Sequence, residues 1–308
     1  MPETLLNTRE VAEYLQINEK QVYRLIRNGG LPCARVTGKW LFPQSLVEEW
    51  VQRSARARTL DSTRSLAVTE RFGLDRGVLI AGSNDQLLDS LFELARRRYP
   101  EYLMYVTNLG SFGGLEALKQ GKAHVALAHL RDPATGEYNT PFLNQYLPQD
   151  AAVAVTLWRR RVGLLQRPDA PAVESLAALR GHKLRFVNRQ RGSGIRWLID
   201  QCLQEAKLKP AQLKGYDTEV WTHWEVGLAI LRRQADVGVA AESIARLLGL
   251  QFHELIEERF DLVVLKDHYF TKPIQALLDV LTSSDMKTRA TALGGYDMRE
   301  TGKVMFPA

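Results

Sequence analysis

Residues 187–200 read VNRQRGSGIRWLID: the end of an apolar strand, three arginines, two glycines and a serine, and then an amphipathic helix. Such a corner exposes unpaired backbone N–H groups at the first helical turn, where the helix dipole favours negative charge. Gly192 and Gly194 let the backbone approach a ligand closely, Ser193 adds a hydroxyl, and Arg189, Arg191 or Arg196 supplies full charge. Two upstream stretches repeat the design. IAGSNDQLLD (80–89) places Ser83 and Asn84 at a strand-to-helix junction, and TNLGSFGGLEAL (107–118) places Ser111 and Gly113 at another. Open α/β sheets bind ligands in crevices outside the carboxyl ends of their strands, so these corners are expected to converge on one anion-receiving cleft.

The surrounding pattern supports that placement. Apolar runs such as GVLIAGS (77–83), HVALAHL (124–130), KLRFVNR (183–189) and ADVGVAAESIA (235–245) alternate with helical segments, the signature of parallel strands with crossover helices. A second set begins after residue 150 with AAVAVTLWRRRVGLLQR (151–167), and two α/β lobes fit this better than one. His124 and His129 share a strand face but lack further convergent ligands, so no metal site is expected. Trp221 and Trp224 of WTHWE (221–225) are expected to pack between the lobes.

The first fifty residues follow a different design. NTREVAEYLQI begins with a cap at Asn7 or Thr8 and continues as a short amphipathic helix. NEKQVYRLIRNGG buries Val22, Leu25 and Ile26 and stops at Gly29–Gly30, leaving a basic face. CARVTGKWLF (33–42) reads as a hairpin about Thr37–Gly38, and PQSLVEEWVQR as a last helix with Leu46, Val47, Trp50 and Val51 turned inward. A helix fits the DNA major groove while a wing reaches the neighbouring backbone. Gln21, Tyr23 and Arg24 are therefore candidates for base edges, and Lys20, Arg27, Arg35 and Lys39 for phosphates.

The chain has 308 residues, enough for two or three folding units, and its formal charge of +6 fits an anionic partner. Two cysteines without metal spacing indicate neither disulfide nor zinc, and point to a reducing, cytoplasmic home. The acidic, capped amino end does not resemble an export signal, and no apolar run is long enough for a membrane span. No GxSxG or Walker loop occurs, so no cofactor is expected and no nucleophile can be named.

Residues 5–51 are similar to the excisionase/MerR-type DNA-binding domain, through TREVAEYL, VYRLIRNGGLP and GKWLF. Residues from about 78 to 308 resemble the periplasmic-binding-protein-like domain of some bacterial regulators and molybdenum-cofactor proteins. GSNDQLLD, GSFGGLEAL, AHLRDPATGEYN, VNRQRGSGIRWLID, ADVGVAAESIA and LGGYD carry this resemblance. It implies a type II, two-lobed domain with crossing strands, closing on a small anion such as molybdate or tungstate. By position, Ser83, Asn84, Ser111, Arg191, Ser193 and Gly194 would line the cleft, with Arg131, Tyr138 and Asn139 as further candidates.

The expected fold is α/β, a winged helix-turn-helix at 1–53, a linker at 54–77 and the two-lobed domain at 78–308. The expected function is a one-component transcriptional regulator, not an enzyme, binding double-stranded DNA as a homodimer. The alternatives are a protein that handles a molybdenum-cofactor intermediate in the same cleft, and a constitutive DNA-binding factor whose lobes only assemble subunits.

Overall fold

A computed structural model describes residues 4–27, 31–36, 38–59, 73–74, 77–148, 151–180 and 183–305. The chain divides into two compact units, Met1–Arg64 and Ser65–Ala308.

In the first unit, helices α1 (Thr8–Tyr14) and α2 (Glu19–Arg27) are followed by strands β2 (Ala34–Val36) and β3 (Lys39–Pro43) and helix α3 (Gln44–Thr59). Asn7 is the cap. Its side chain accepts from Arg9 and Glu10 N–H while the Glu10 carboxylate accepts from Asn7 N–H, a reciprocal capping box. Gln16 takes the left-handed conformation in the turn between the helices, with φ 53°. Strand β3 lies between β1 (Leu5–Leu6) and β2, antiparallel to both, and Gly38 reverses the hairpin at φ +85°. Val11, Ala12, Val22, Leu31, Phe42 and Val47 form the core, with Trp40 and Trp50 packed against it. Leu46 and Val51, expected inward, are exposed, because one face of α3 covers this small core and both lie off it. Helix α3 continues to Thr59, into the segment expected as linker. The Gly29–Gly30 stop, Thr37 and residues 60–72 lie outside the described residues.

The second unit is one ten-stranded sheet shared by two lobes. Lobe I begins with β4 (Val78–Gly82), helix α4 (Gln86–Arg98), β5 (Met104–Asn108), helix α5 (Gly110–Lys119), β6 (Val125–Ala128) and helix α6 (Thr140–Tyr146). Lobe II comprises β8 (Phe186–Arg189), helix α7 (Gly194–Glu205), β9 (Glu219–Val220), helix α8 (His223–Leu231), β10 (Val237–Ala241) and helix α9 (Glu242–Leu248). Two fifteen-residue strands, β7 (Ala152–Gln166) and β11 (Gln251–Leu265), run through both lobes, and helices α10 to α12 (266–269, 272–281, 284–293) return to lobe I. The order is β5-β4-β6-β11-β7-β10-β8-β9, with β12 (Tyr296–Asp297) and β13 (Val304–Met305) also on β7. Strands are parallel within each lobe outside the crossing pair, as the strand–helix alternation implies.

The crossing strands pair antiparallel along their whole length, with register shifts between Glu254 and Ile256 and between Phe260 and Asp261. Such irregularities bend a ribbon locally. Lobe I packs Val78, Ile80, Leu87, Leu91, Val125, Leu127, Leu262 and Leu277 into one cluster, with Trp158 and Phe260 stacked across the ribbon at 5.7 Å. Lobe II has separate clusters on the two faces of its strands, one around Phe186, Ile195 and Ile199, the other around Val187, Val226 and Ile230. Among the described residues no helix is long and apolar enough to cross a membrane.

Candidate functional site

The three strand-to-helix corners meet in the second unit. The Ser83 and Ser111 hydroxyls are 2.7 Å apart and both buried, and Ser111 Oγ also accepts from His129 N–H at 3.2 Å. From lobe II, Gly192 carbonyl accepts from Phe112 N–H at 3.3 Å. A side chain at Gly110 would meet that carbonyl at 2.7 Å, and one at Gly194 would meet the His129 ring at 2.5 Å. Only glycine lets the lobes approach this closely. Ser193 caps α7 by accepting from Arg196 N–H at 3.1 Å and is buried.

Behind the corners lies a buried chain of charge on the crossing strands. Arg160 of β7 donates to Glu258 of β11 at 2.6 Å and to Asp85, the cap of α4, at 2.5 Å. Glu258 in turn lies 2.9 Å from His129 Nδ1. Burial holds the His129 imidazole below its usual range, so it is neutral and donates through Nδ1–H. Burial alone would push Glu258 up, but its bonded partners outweigh that and keep the carboxylate ionised. Burial also keeps His223 neutral; its Nδ1 accepts from Ala241 N–H at 3.1 Å. Tyr296 brings its hydroxyl to 3.0 Å from Asp85 and 3.1 Å from Ser243, tying the ends of α4 and α9 together on the strand side.

Arg189 differs from every other buried cation here. It ends β8, is 2% exposed, and has no carboxylate within ion-pair distance among the described residues. Its Nη2 donates to Trp221 carbonyl at 2.8 Å and its Nε to Gln190 Oε1 at 3.2 Å. Among the described residues Nη1 has no acceptor, and neither does the neighbouring Gln190 Nε2. Burial, with Arg160 adding to it, pushes this guanidinium down to about 9. Two buried donors without acceptors beside an uncompensated cation are what a small anion requires.

The other expected residues fall elsewhere. Arg191 stands at the tip of the turn closed by Ser193 N–H on Gln190 carbonyl, where Gly192 has φ +84°; its side chain is 84% exposed. It lines an open cavity of about 240 Å3 with Phe112, Trp197 and Tyr216. Arg189 is the last residue of β8, which is buried on both faces, and the turn after it sends Arg191 out. Arg196 is buried but engaged, over the Tyr216 ring at 4.1 Å and on Glu219 at 3.0 Å. Asn84 contributes its carbonyl to Arg160 at 3.3 Å. The carbonyl of Arg131 braces α7 by accepting from Trp197 at 3.0 Å. Asn139, at φ 59°, anchors the same loop through Asp261 and Leu130, and Tyr138 reaches Glu257 carbonyl at 3.3 Å. Trp221 and Trp224 are 57% and 42% exposed; the carbonyl of Trp221, rather than either indole, makes the contact between lobes.

In the first unit, Lys20, Tyr23, Arg24, Arg35 and Lys39 are all exposed, and Arg35 lies over Trp40 at 5.6 Å. Gln21 is turned back: its side chain accepts from Asn18 N–H at 3.2 Å and so caps α2 instead of reaching outward. The Arg27 side chain lies outside the described residues.

Known proteins show the same two parts. A helix-turn-helix domain model matches residues 5–55, and a PBP superfamily domain model matches residues 92–282, well over half the chain. The uncharacterized protein YvgK of Bacillus subtilis (strain 168) is 28% identical over 307 residues, 96% of each chain. Among solved structures, a phosphate ABC transporter substrate-binding protein with bound phosphate, from Clostridium perfringens, superposes with TM-score 0.55 at 14% identity, over 70% of this chain and 97% of its own. The tungstate ABC transporter structure from Geobacter sulfurreducens gives TM-score 0.51 at 12% identity, over 69% and 97%. The chain belongs to the PBP superfamily and carries a helix-turn-helix domain ahead of that fold.

Proposed function

We propose that this protein is a one-component transcriptional regulator, not an enzyme, acting in the cytoplasm. The helix-turn-helix unit binds operator DNA, and the cleft senses a small oxyanion of the molybdate or tungstate class. Arg189 carries this reading, as a buried cation without a counter-carboxylate whose free donor and that of Gln190 lie where three glycine- and serine-bearing corners meet. Ser83, Ser111, Ser193 and Gly194 would line the ligand with Arg189 and Gln190, while Arg160 and Glu258 brace them. Tungstate and phosphate binding by proteins of the same fold supports an oxyanion.

Coupling requires that the anion bind one lobe arrangement better than another, since equal affinity shifts no equilibrium. Charge-assisted hydrogen bonds contribute about 1.5–3 kcal/mol each, so two or three made only on closure suffice. On DNA, a homodimer would place two recognition helices on half-sites, with Arg24 and Tyr23 reading bases and Lys20, Arg35 and Lys39 holding phosphates. The test is a thermal-shift screen over molybdate, tungstate, sulfate, phosphate and small carboxylates, followed by operator binding with and without the best anion. Stabilisation by none of them would overturn the oxyanion reading.

A further inference from the structure

Asn108 closes β5 on lobe I, and its side-chain Nδ2 donates across the cleft to the Trp221 carbonyl of lobe II at 2.8 Å. The same oxygen accepts Arg189 Nη2 at 2.8 Å. That peptide is held firmly from its own side: Glu225 accepts from Trp221 and Thr222 N–H, both at 2.8 Å, within the capping box of α8. A carbonyl admits only the NH2 end of an amide, which settles the orientation of Asn108. Its Oδ1 is consequently buried, with no donor among the described residues.

Arg189 shows the complementary deficit, one amino group seated on the carbonyl and the other unpartnered.

We infer that Asn108 is a closure latch: from lobe I its amide grips the Trp221 carbonyl that also orients Arg189, coupling lobe closure and anion capture through one peptide group. The coupling to an anion rests on the reading of Arg189 given above; the latch itself does not. Asn108 is a positioning residue, since it holds the carbonyl that aims the guanidinium.

The test uses the full chain, with molybdate as the anion. Asn108→Ala should weaken molybdate binding about tenfold, through faster dissociation with unchanged association. Without any anion, small-angle scattering should show Asn108→Ala more open than the wild type. Asn108→Asp keeps the size, cannot donate to the carbonyl and offers Arg189 an internal counter-charge, so it should bind roughly tenfold more weakly still. Wild-type affinity and dissociation in both variants, together with unchanged scattering, would overturn the latch. If the wild type itself binds no oxyanion, the anion reading fails and the scattering comparison alone decides the latch: a more open Asn108→Ala keeps it, and an identical profile removes it.

Discussion

Replacing Arg189 by methionine separates the two demands made on this side chain, receiving an anion and residing in a buried site without one. A guanidinium pushed down to about 9 by burial is disfavoured, at 1.36 kcal/mol per pH unit, by roughly 5 kcal/mol. Methionine of similar length removes that penalty. It also forfeits the bonds to Trp221 carbonyl and Gln190 Oε1, worth about 1 kcal/mol each, leaving Gln190 Oε1 short of a donor while the Trp221 carbonyl keeps Asn108 Nδ2. The balance favours the variant by roughly 2–3 kcal/mol, an upper bound because opening the cleft hydrates the arginine. At about 2–4 °C per kcal/mol for a domain of this size, Arg189→Met should melt several degrees above the wild type without ligand, yet show no shift with molybdate. Urea denaturation and thermal scans with and without the anion measure both effects. A variant that melts below the wild type and still responds to molybdate would refute the argument.

Anion affinity should hold steady below pH 9 and then fall about tenfold per pH unit as Arg189 loses its proton, a profile titration calorimetry records. Without anion the sign of the Arg189 contribution reverses: above pH 9 the unfolded chain keeps the proton that the folded Arg189 has lost, so the stability of the wild type relative to Arg189→Met should rise with pH through that window, as urea midpoints of the pair would reveal. Glu258→Gln breaks a buried ion pair and should cost about 3–5 kcal/mol in chemical denaturation. Gly194→Ala forces its methyl into the His129 ring and should cost about 1–3 kcal/mol with loss of anion binding, checked by the same thermal shift. Arg24→Ala and Lys20→Ala should weaken operator binding, and a phosphate-contacting loss should reduce the slope of log K against log salt by about 1; gel-shift titrations at several salt concentrations would detect this.

Local signals carried most of the fold. Alternating apolar strands and helices announced the lobes, and Asn7 marked a helix start that the structure caps as chemistry dictates. The buried charges were harder to foresee. Arg160 and Glu258 stand opposite each other on strands nearly a hundred residues apart in the chain, and no local period pairs them. The available hint was charge inside apolar strands, WRRRV (158–162) and EERFDLVV (257–264), where unpaired ions are too costly to bury. Choosing Arg189 over Arg191 required the burial of β8 and the turn after it, which spacing alone does not reveal. Gln21 escaped notice as a cap because the helix start at Asn18 offered two competing roles for one side chain. Trp221 and Trp224 were read from their size, whereas the contact they provide is made by a backbone oxygen that carries no sequence signature.

The two long crossing strands also constrain how the molecule is made. Lobe II is one uninterrupted insertion, closed off by β7 on one side and β11 on the other, while lobe I lacks β11 and helices α10 to α12 until the chain beyond lobe II has been synthesised. During translation the earlier half of lobe I therefore emerges with its sheet unfinished and its apolar surface uncovered, waiting for partners encoded more than a hundred residues later. On this topology lobe II can complete its sheet before lobe I does, and the cleft between the lobes forms only once β11 and the helices after it have been made.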